Sequence, residues 1–448
     1  MTPPLAPARR AAFLVLQKVL AGKGNSDVLL HGALTRALSQ QDRNLCTALV
    51  MGTLRWQRIL DAQVRAHLER PTQQVPAPVE VALWMGAFQL LCMDRVPAHA
   101  VLFESVEWVK RSAHPRAAGM VNAVLRKLVS SPVSGMGRPE GAYPDWMVQR
   151  WRRNYGTASA EKICANGLQG PKTTVRLLAP GAEEELLAEG VQLAPGEFLA
   201  QARKVVQGDV SATRALRAGR VQIQDEGSQL VAELLGEGKR ILDCCAAPGG
   251  KTAILLSRSP QAEVVACDAG PARLRALQRR LSRPEWHGRV TFLTADAARL
   301  PEIGLFDRVL CDVPCSGTGT LARNPEIRHR LRPEEIARQA ARQREILASA
   351  LRRLAPGGRL LYATCSLEPE ENEDVVQACM ESAPGQAMRY KRLEVQREMD
   401  ALIQNGTMAG AAAQPLRDTA CRSGALRTLP GVHPCDGFFA ALIERAED

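Results

Sequence analysis

Two cysteines stand in sequence settings where a thiol could do chemistry. Cys315 lies in Asp312-Val313-Pro314-Cys315-Ser316-Gly317-Thr318-Gly319, and Cys365 in Thr364-Cys365-Ser366, each just past a short apolar run. A thiolate attacks an electron-poor carbon well and leaves again by elimination, so it suits reversible covalent catalysis. Cytosine C5 is a carbon that needs such help, because it becomes nucleophilic only once C6 carries an added group and C5 has enamine character. An ordinary thiol, with a pKa of about 8.5, is mostly protonated at neutral pH, so its surroundings must assist. Asp312 can hold the N3/N4 edge of the base and stabilise a protonated N3, while Lys251 supplies positive charge nearby. Free cysteine is also among the most buried residue types, so either thiol taken alone fits a core position as well. Spacing does not say which of the two attacks.

A second group of residues suits a nucleoside. The run Cys245-Ala246-Ala247-Pro248-Gly249-Gly250-Lys251 follows an apolar stretch and precedes a helical pattern. Its small residues let the backbone approach a ligand, and the first turn of the following helix offers N–H groups to a carboxylate. Asp268 lies 19 positions beyond Gly249, where an acidic side chain accepts hydrogen bonds from ribose hydroxyls. Asp296 follows the next apolar run and can accept from an adenine amino group. The loop has neither G-x-G-x-x-G nor the P-loop pattern, which disfavours a pyrophosphate cofactor and favours a nucleoside without phosphates.

These residues must be held by strand ends. Arg240 to Cys244, Glu263 to Cys267, Val290 to Leu293, Arg308 to Cys311 and Arg359 to Ala363 are short apolar runs, separated by helical patterns such as Arg273 to Leu281 and Pro333 to Leu354. That alternation specifies parallel strands with crossover helices, an α/β doubly wound sheet over 221–448. Residues 1–130 read as all-helical. Leu45, Leu49, Gly52, Trp56, Ile59, Leu60 and Val64 form one apolar stripe, with Ser39 and Asp42 able to cap its start, and further patterns run over Arg10 to Leu20, Val81 to Met93 and Ala118 to Val129. The Ser/Gly/Pro-rich stretch 131–144 reads as a linker. Residues 145–220 read as a small α+β part that binds RNA or connects the domains, with a β-like run at Thr173 to Leu178. It opens on Asp145 to Tyr155, where Trp146, Trp151 and Tyr155 alternate with Arg150, Arg152 and Arg153. Such aromatics either stack on bases beside phosphate-binding guanidiniums or pack inward on an amphipathic helix. The alanine-rich patch Ala409 to Ala413 reads as a loop.

At 448 residues the chain exceeds one ordinary domain, and its 46% hydrophobic and 23% charged residues describe a folded protein. The longest apolar stretch, Val81 to Met93, is too short to span a bilayer, so no membrane association is expected. No export signal is evident, which points to the cytoplasm and to twelve reduced cysteines, and their spacing with histidine suggests no metal. The net charge is +11, and residues 1–140 hold 17 Lys and Arg against 9 Asp and Glu, an excess that attracts polyanions.

Taken together, DCCAAPGGKT, CDVPCSGTGT-x-x-RNPEIR and YATCSLEPEENE, with the closing DGFFAALI from Asp436 to Ile443, resemble the RNA cytosine-5 methyltransferase family of Sun/Fmu type, over most of residues 221–446. The resemblance implies a Rossmann-like class I methyltransferase domain that uses S-adenosyl-L-methionine. It implies that Cys365 attacks C6, that Cys315 assists breakdown of the adduct, and that Asp312 and Lys251 contact the target base or its neighbourhood. It places Cys245, Ala246, Ala247, Pro248, Gly249, Gly250, Lys251, Asp268, Asp296 and Asp312 around the cofactor. Gln41 to Trp56, QDRNLCTALVMGTLRW, resembles the NusB-like RNA-binding domain found ahead of the catalytic domain in the 16S rRNA branch of that family, so the expected partner is 16S (small-subunit) rRNA, as free RNA before subunit assembly, acted on by a monomer. Departures fall at Cys244 (commonly Ala), Gly270 and His329 (commonly Trp), all expected beside the pocket. A tRNA cytosine-5 methyltransferase and a non-catalytic rRNA assembly factor are the alternatives. A DNA enzyme is disfavoured because the Glu-Asn-Val partner of its Pro-Cys nucleophile is not evident.

Overall fold

The computed structural model describes residues 5–130, 136–382 and 390–447. They form two compact units, one made of residues 1–170 with 321–330, the other of 171–320 with 331–448. This division differs from the sequence reading, which ended the helical part at 130. The helices Asp145–Tyr155 and Thr157–Asn166 go with the first unit, and the expected 145–220 part goes with the second only from Pro171 onward. Of the expected linker, residues 131–135 lie outside the described residues, and Pro139–Ala142 forms a short 3-10 turn.

The first unit is helical because its sequence repeats apolar residues at three- and four-residue steps. Helix Gln40–Arg65 starts where the Ser39 side chain accepts from the Asp42 backbone N–H at 3.1 Å. It buries Leu49, Leu60 and Val64 on one stripe, each fully buried leucine contributing roughly 1.5–3 kcal/mol. Helix Ala77–Cys92 is apolar around its circumference and is buried from Val79 to Gln89 except at Glu80. In helix Asp145–Tyr155, Trp151 is fully buried and meets Tyr143 edge-on at 5.5 Å, while Arg152 is exposed and reaches Glu140. Trp151 therefore packs inward and is not a platform for a base.

The ten residues Leu321–Arg330 complete this unit from a distant part of the sequence. Glu326 accepts from the Ser26 backbone N–H at 2.9 Å and from its hydroxyl, at the start of helix Ser26–Leu30. The Arg328 guanidinium is fully buried, donates to the carbonyls of Arg55, Gly167 and Leu321, and lies 4.2 Å from the Tyr143 ring centre. His329 Nε2 meets the Leu54 carbonyl at 2.8 Å, and burial lowers its pKa to about 4. His329 thus packs within the helical unit. Replacing Arg328 by methionine keeps the bulk of the stem but takes a donor from the buried Gly167 and Leu321 carbonyls and from the half-buried Arg55 carbonyl. We expect destabilisation of about 3 kcal/mol and a melting temperature lower by several degrees, measured by thermal denaturation. A shift below one degree would show that the guanidinium contributes little.

The second unit begins with four antiparallel strands, β1 (Thr174–Leu177), β2 (Gln192–Pro195), β3 (Ala202–Gln207) and β4 (Val221–Ile223), in the order β2-β3-β1-β4. There follow β5 (Arg240–Asp243), β6 (Glu263–Asp268), β7 (Val290–Thr294), β8 (Phe306–Asp312) and β9 (Leu354–Thr364), all parallel in the order β9-β8-β5-β6-β7. This is the doubly wound sheet expected, with its helices at Gly250–Arg258, Pro271–Arg280 and Pro333–Leu351. Beyond β9 it is extended by β10 (Tyr390–Leu393), β11 (Cys421–Arg422), β12 (Ala425–Arg427) and β13 (Phe439–Arg445): β13 pairs antiparallel with β9, β10 and β12 pair antiparallel with β13, and β11 pairs antiparallel with β12. The sheet is therefore mixed. DGFFAALI supplies β13, whose Phe439 pairs with Thr364 and Ala440 with Ala363. The alanine-rich patch is a loop up to Ala412, and Ala413 opens helix Ala413–Ala420. No helix among the described residues is long and apolar enough to cross a membrane.

Candidate active site

The chain runs outward from β5 to β6 and β7, then crosses to β8 and β9 on the other side. The reversal lies between β5 and β8, and sheets of this kind take their ligands at the carboxyl ends of the strands beside such a reversal. Every candidate site residue named above lies at or just past the end of one of these five strands.

On the β5 side, Asp243 is buried and accepts from the Thr252 hydroxyl at 2.7 Å, which ties the strand end to the helix beyond the loop. Burial pushes its carboxyl up to about 7. Cys244 and Ala246 donate their backbone N–H groups to the carbonyls of Leu310 and Cys267, at 2.9 and 2.8 Å, so the loop is stitched to both neighbouring strands. Gly249 adopts φ 102°, and a Cβ there would come within 2.4 Å of Leu277 Cδ1. Only glycine closes this turn. Helix Gly250–Arg258 then begins with no side chain capping it, leaving its first N–H groups available to an anion. Asp268 ends β6, almost fully buried, with Oδ1 accepting from the Gly270 N–H at 2.7 Å and Arg273 at 2.9 Å. Gly270 caps helix Pro271–Arg280 there. An uncapped helix start, a close-approach glycine loop and a carboxylate at the next strand end fit an adenosyl amino acid. Asp296 caps the short helix Ala297–Arg299 through the Ala298 N–H at 3.0 Å, and its carboxylate is held by Arg342.

On the β8 side, Lys251 Nζ and Asp312 Oδ2 are 2.7 Å apart, and the ammonium lies 5.5 Å from the Phe438 ring centre. Cys315 Sγ and Cys365 Sγ are 3.3 Å apart. The structure thus brings the two thiols into contact and pairs the lysine with the aspartate. The Cys315 thiol is pushed well above its ordinary range, first by its hydrogen bond to Cys365, then by burial and by the charge of Glu371. The shift favours the protonated form of Cys315, and the two thiols share one hydrogen bond. The loops bearing the thiols are braced together: Gly319 N–H donates to the Cys365 carbonyl at 2.9 Å, and Leu367 N–H to the Thr318 hydroxyl at 2.9 Å. A Cβ on Gly319 would sit 2.2 Å from the Gly437 carbonyl oxygen.

Several residues here were not singled out from the sequence. Ser316, Ser366, Gln343 and Glu371 form a buried polar cluster beneath the thiols. Glu371 sits in an acidic run, PEENE, which in sequence looks like a solvated surface. Asp243 had a signal, since it opens DCCAAPGGKT. Cys244, a departure from the usual pattern, is buried with its sulfur 3.6 Å from that of Cys311, so it fills core beneath the pocket.

The family model described as 16S rRNA methyltransferase RsmB/F matches residues 233–444, and that of the NusB family matches residues 6–130. Ribosomal RNA small subunit methyltransferase B of Xanthomonas campestris is 33% identical, over 98% of this chain and 98% of its own length. The chain belongs to the 16S rRNA methyltransferase RsmB/F family. The protein of that name from Vibrio cholerae is 31% identical over 97% of this chain and 96% of its own. Among solved structures, PH0851 has the same fold, with a TM-score of 0.77 at 22% identity over 99% of this chain and all of that one. A methyltransferase homolog protein from Pyrococcus horikoshii reaches 0.54 at 25% identity, over 68% of this chain and 95% of its own. Membership makes the chain a ribosomal RNA methyltransferase, with a NusB domain ahead of a Rossmann-like catalytic domain.

Proposed function

We propose that this protein methylates C5 of a specific cytosine in 16S rRNA, through a covalent bond between Cys365 and C6. The contact of Cys315 with Cys365 at 3.3 Å carries this reading, because two thiols on the ends of adjacent strands suit addition by one and proton exchange by the other during elimination. S-adenosyl-L-methionine, when bound, supplies an electrophilic methyl group. The loop from Cys245 to Lys251 and the uncapped helix start receive its carboxylate end, Asp268 its ribose hydroxyls and Asp296 its adenine amino group.

Cys365 adds to C6 as a thiolate, and Asp312 holds the N3/N4 edge and supports the proton gained at N3, leaving C5 with enamine character. Lys251 keeps Asp312 aimed through its 2.7 Å ion pair. Once C5 carries the methyl group, Cys315 gives its proton to the departing Cys365 sulfur and, as a thiolate, takes the C5 proton; the carbon–sulfur bond breaks, N3 returns its proton to solvent, and aromaticity returns with Cys365 freed. The NusB-like domain brings the positive charge that gathers RNA, and the protein acts in the cytoplasm as a monomer on free rRNA before subunit assembly.

The test is incubation of the purified protein with tritiated methyl donor and bare small-subunit rRNA, followed by bisulfite mapping. One protected cytosine is the expected result. Label that appears only in tRNA, or none in any RNA, would overturn the reading.

A further inference from the structure

Beneath the two thiols lies a fully buried glutamate outside the chemistry just described. Glu371 Oε1 accepts from the Ser316 backbone N–H at 2.8 Å and from Gln343 Nε2 at 3.0 Å. Its Oε2 accepts from the hydroxyls of Ser316 and Ser366, the latter at 2.5 Å, and those hydroxyls touch each other at 3.0 Å. Ser316 follows Cys315 and Ser366 follows Cys365, so one carboxylate grips the residue after each thiol. Gln343 extends the grip by donating also to the Pro314 carbonyl at 2.9 Å, on the other side of Cys315. The neighbouring Asn372 donates to the Ser366 carbonyl at 2.9 Å and pairs with the Thr364 hydroxyl.

A buried carboxylate with several donors on it is costly to remove from water, and it fixes the geometry of whatever donates to it. Here the donors come from both loops and from helix Pro333–Leu351. We propose that Glu371 is the positioning residue of the thiol pair: its carboxylate holds the Cys315 and Cys365 loops at reacting distance, and its charge keeps the proton on Cys315. The second part follows from proximity, since a negative charge in a buried site opposes formation of another. Cys315 faces three titratable groups: Cys365, Glu371 and Tyr362, whose hydroxyl donates to the Glu371 carbonyl at 2.6 Å.

This inference rests on Cys315 and Cys365 being the reacting thiols, yet one of its readouts needs no RNA. In the full-length protein, iodoacetamide labelling of the Cys315 peptide is followed against pH by mass spectrometry, for wild type and for Glu371→Gln, which is nearly isosteric. The labelling midpoint of Cys315 is expected to fall by roughly half a pH unit or more in the variant. With RNA, Glu371→Ala is expected to lower kcat by roughly a hundredfold while leaving KM for S-adenosyl-L-methionine within about twofold, because the loops lose their register and the cofactor loop does not. Glu371→Asp, whose carboxylate is one methylene short, should recover part of that loss. The proposal is overturned if the Cys315 midpoint stays in place in Glu371→Gln, or if kcat falls only in step with cofactor binding. Should wild type itself fail to methylate RNA while the labelling shift appears, the functional reading fails and the role of Glu371 on the thiol pair stands.

Discussion

Replacing Cys365 by alanine is expected to abolish methyl transfer, with a fall on the order of 10⁴-fold, as for other enzymes stripped of their nucleophile. Replacing Cys315 by alanine should also stop turnover, but with a different signature: a protein–RNA complex that survives denaturing electrophoresis. The difference follows from where the proton sits. Cys315 is held protonated by its contact with Cys365, by burial and by Glu371, so it is poorly placed to attack and well placed to exchange a proton later in the cycle. Without it, Cys365 still adds to C6 and the adduct accumulates. The decisive experiment uses RNA carrying 5-fluorocytidine, whose C5 fluorine cannot leave as a proton would. If Cys365→Ala still forms the covalent adduct while Cys315→Ala does not, the two roles are exchanged.

Asp312→Ala is expected to lower kcat/KM by roughly 10²- to 10³-fold, the cost of removing one group that stabilises developing charge. Two losses combine. The base loses the acceptor for its N3/N4 edge, and Lys251, whose side chain is only 12% exposed, loses its partner at 2.7 Å. Asp312→Asn separates them, since an amide oxygen can still accept from Lys251 but cannot support a proton at N3. We expect the Asn variant to retain the melting temperature and cofactor affinity of wild type and yet lose about a hundredfold in kcat/KM with RNA. Activity within threefold of wild type would remove Asp312 from the chemistry and leave it a structural counter-ion.

Much of the catalytic sheet was legible in the sequence because parallel strands buried on both faces write themselves as short apolar runs. The five runs read from the sequence coincide with β5 to β9 within a few residues. The strands that extend the sheet were harder. Phe439–Arg445 entered only as part of the closing motif DGFFAALI, and its pairing with Leu354–Thr364 is a tertiary property that local pattern does not record. The site was legible where small residues, carboxylates and thiols follow strand ends. It was illegible at Glu371, since an acidic run carries no sign of which carboxylate turns inward. Trp151 was open in the sequence, where an aromatic between arginines fits either a base contact or inward packing, and its packing against Tyr143 decides for the second.

The wiring of the helical unit bears on how this protein can be dissected. Its last ten residues, Leu321–Arg330, are encoded inside the gene segment for the other unit. A fragment stopping at residue 170 would leave Arg55, Gly167 and the turn at Ser26 without the side chains that satisfy them. The complementary fragment would trail a strap bearing a guanidinium and a carboxylate stripped of their partners. Splitting the gene at that codon thus yields two damaged products. Supplying both halves together is the form of the experiment that respects how the polypeptide is threaded.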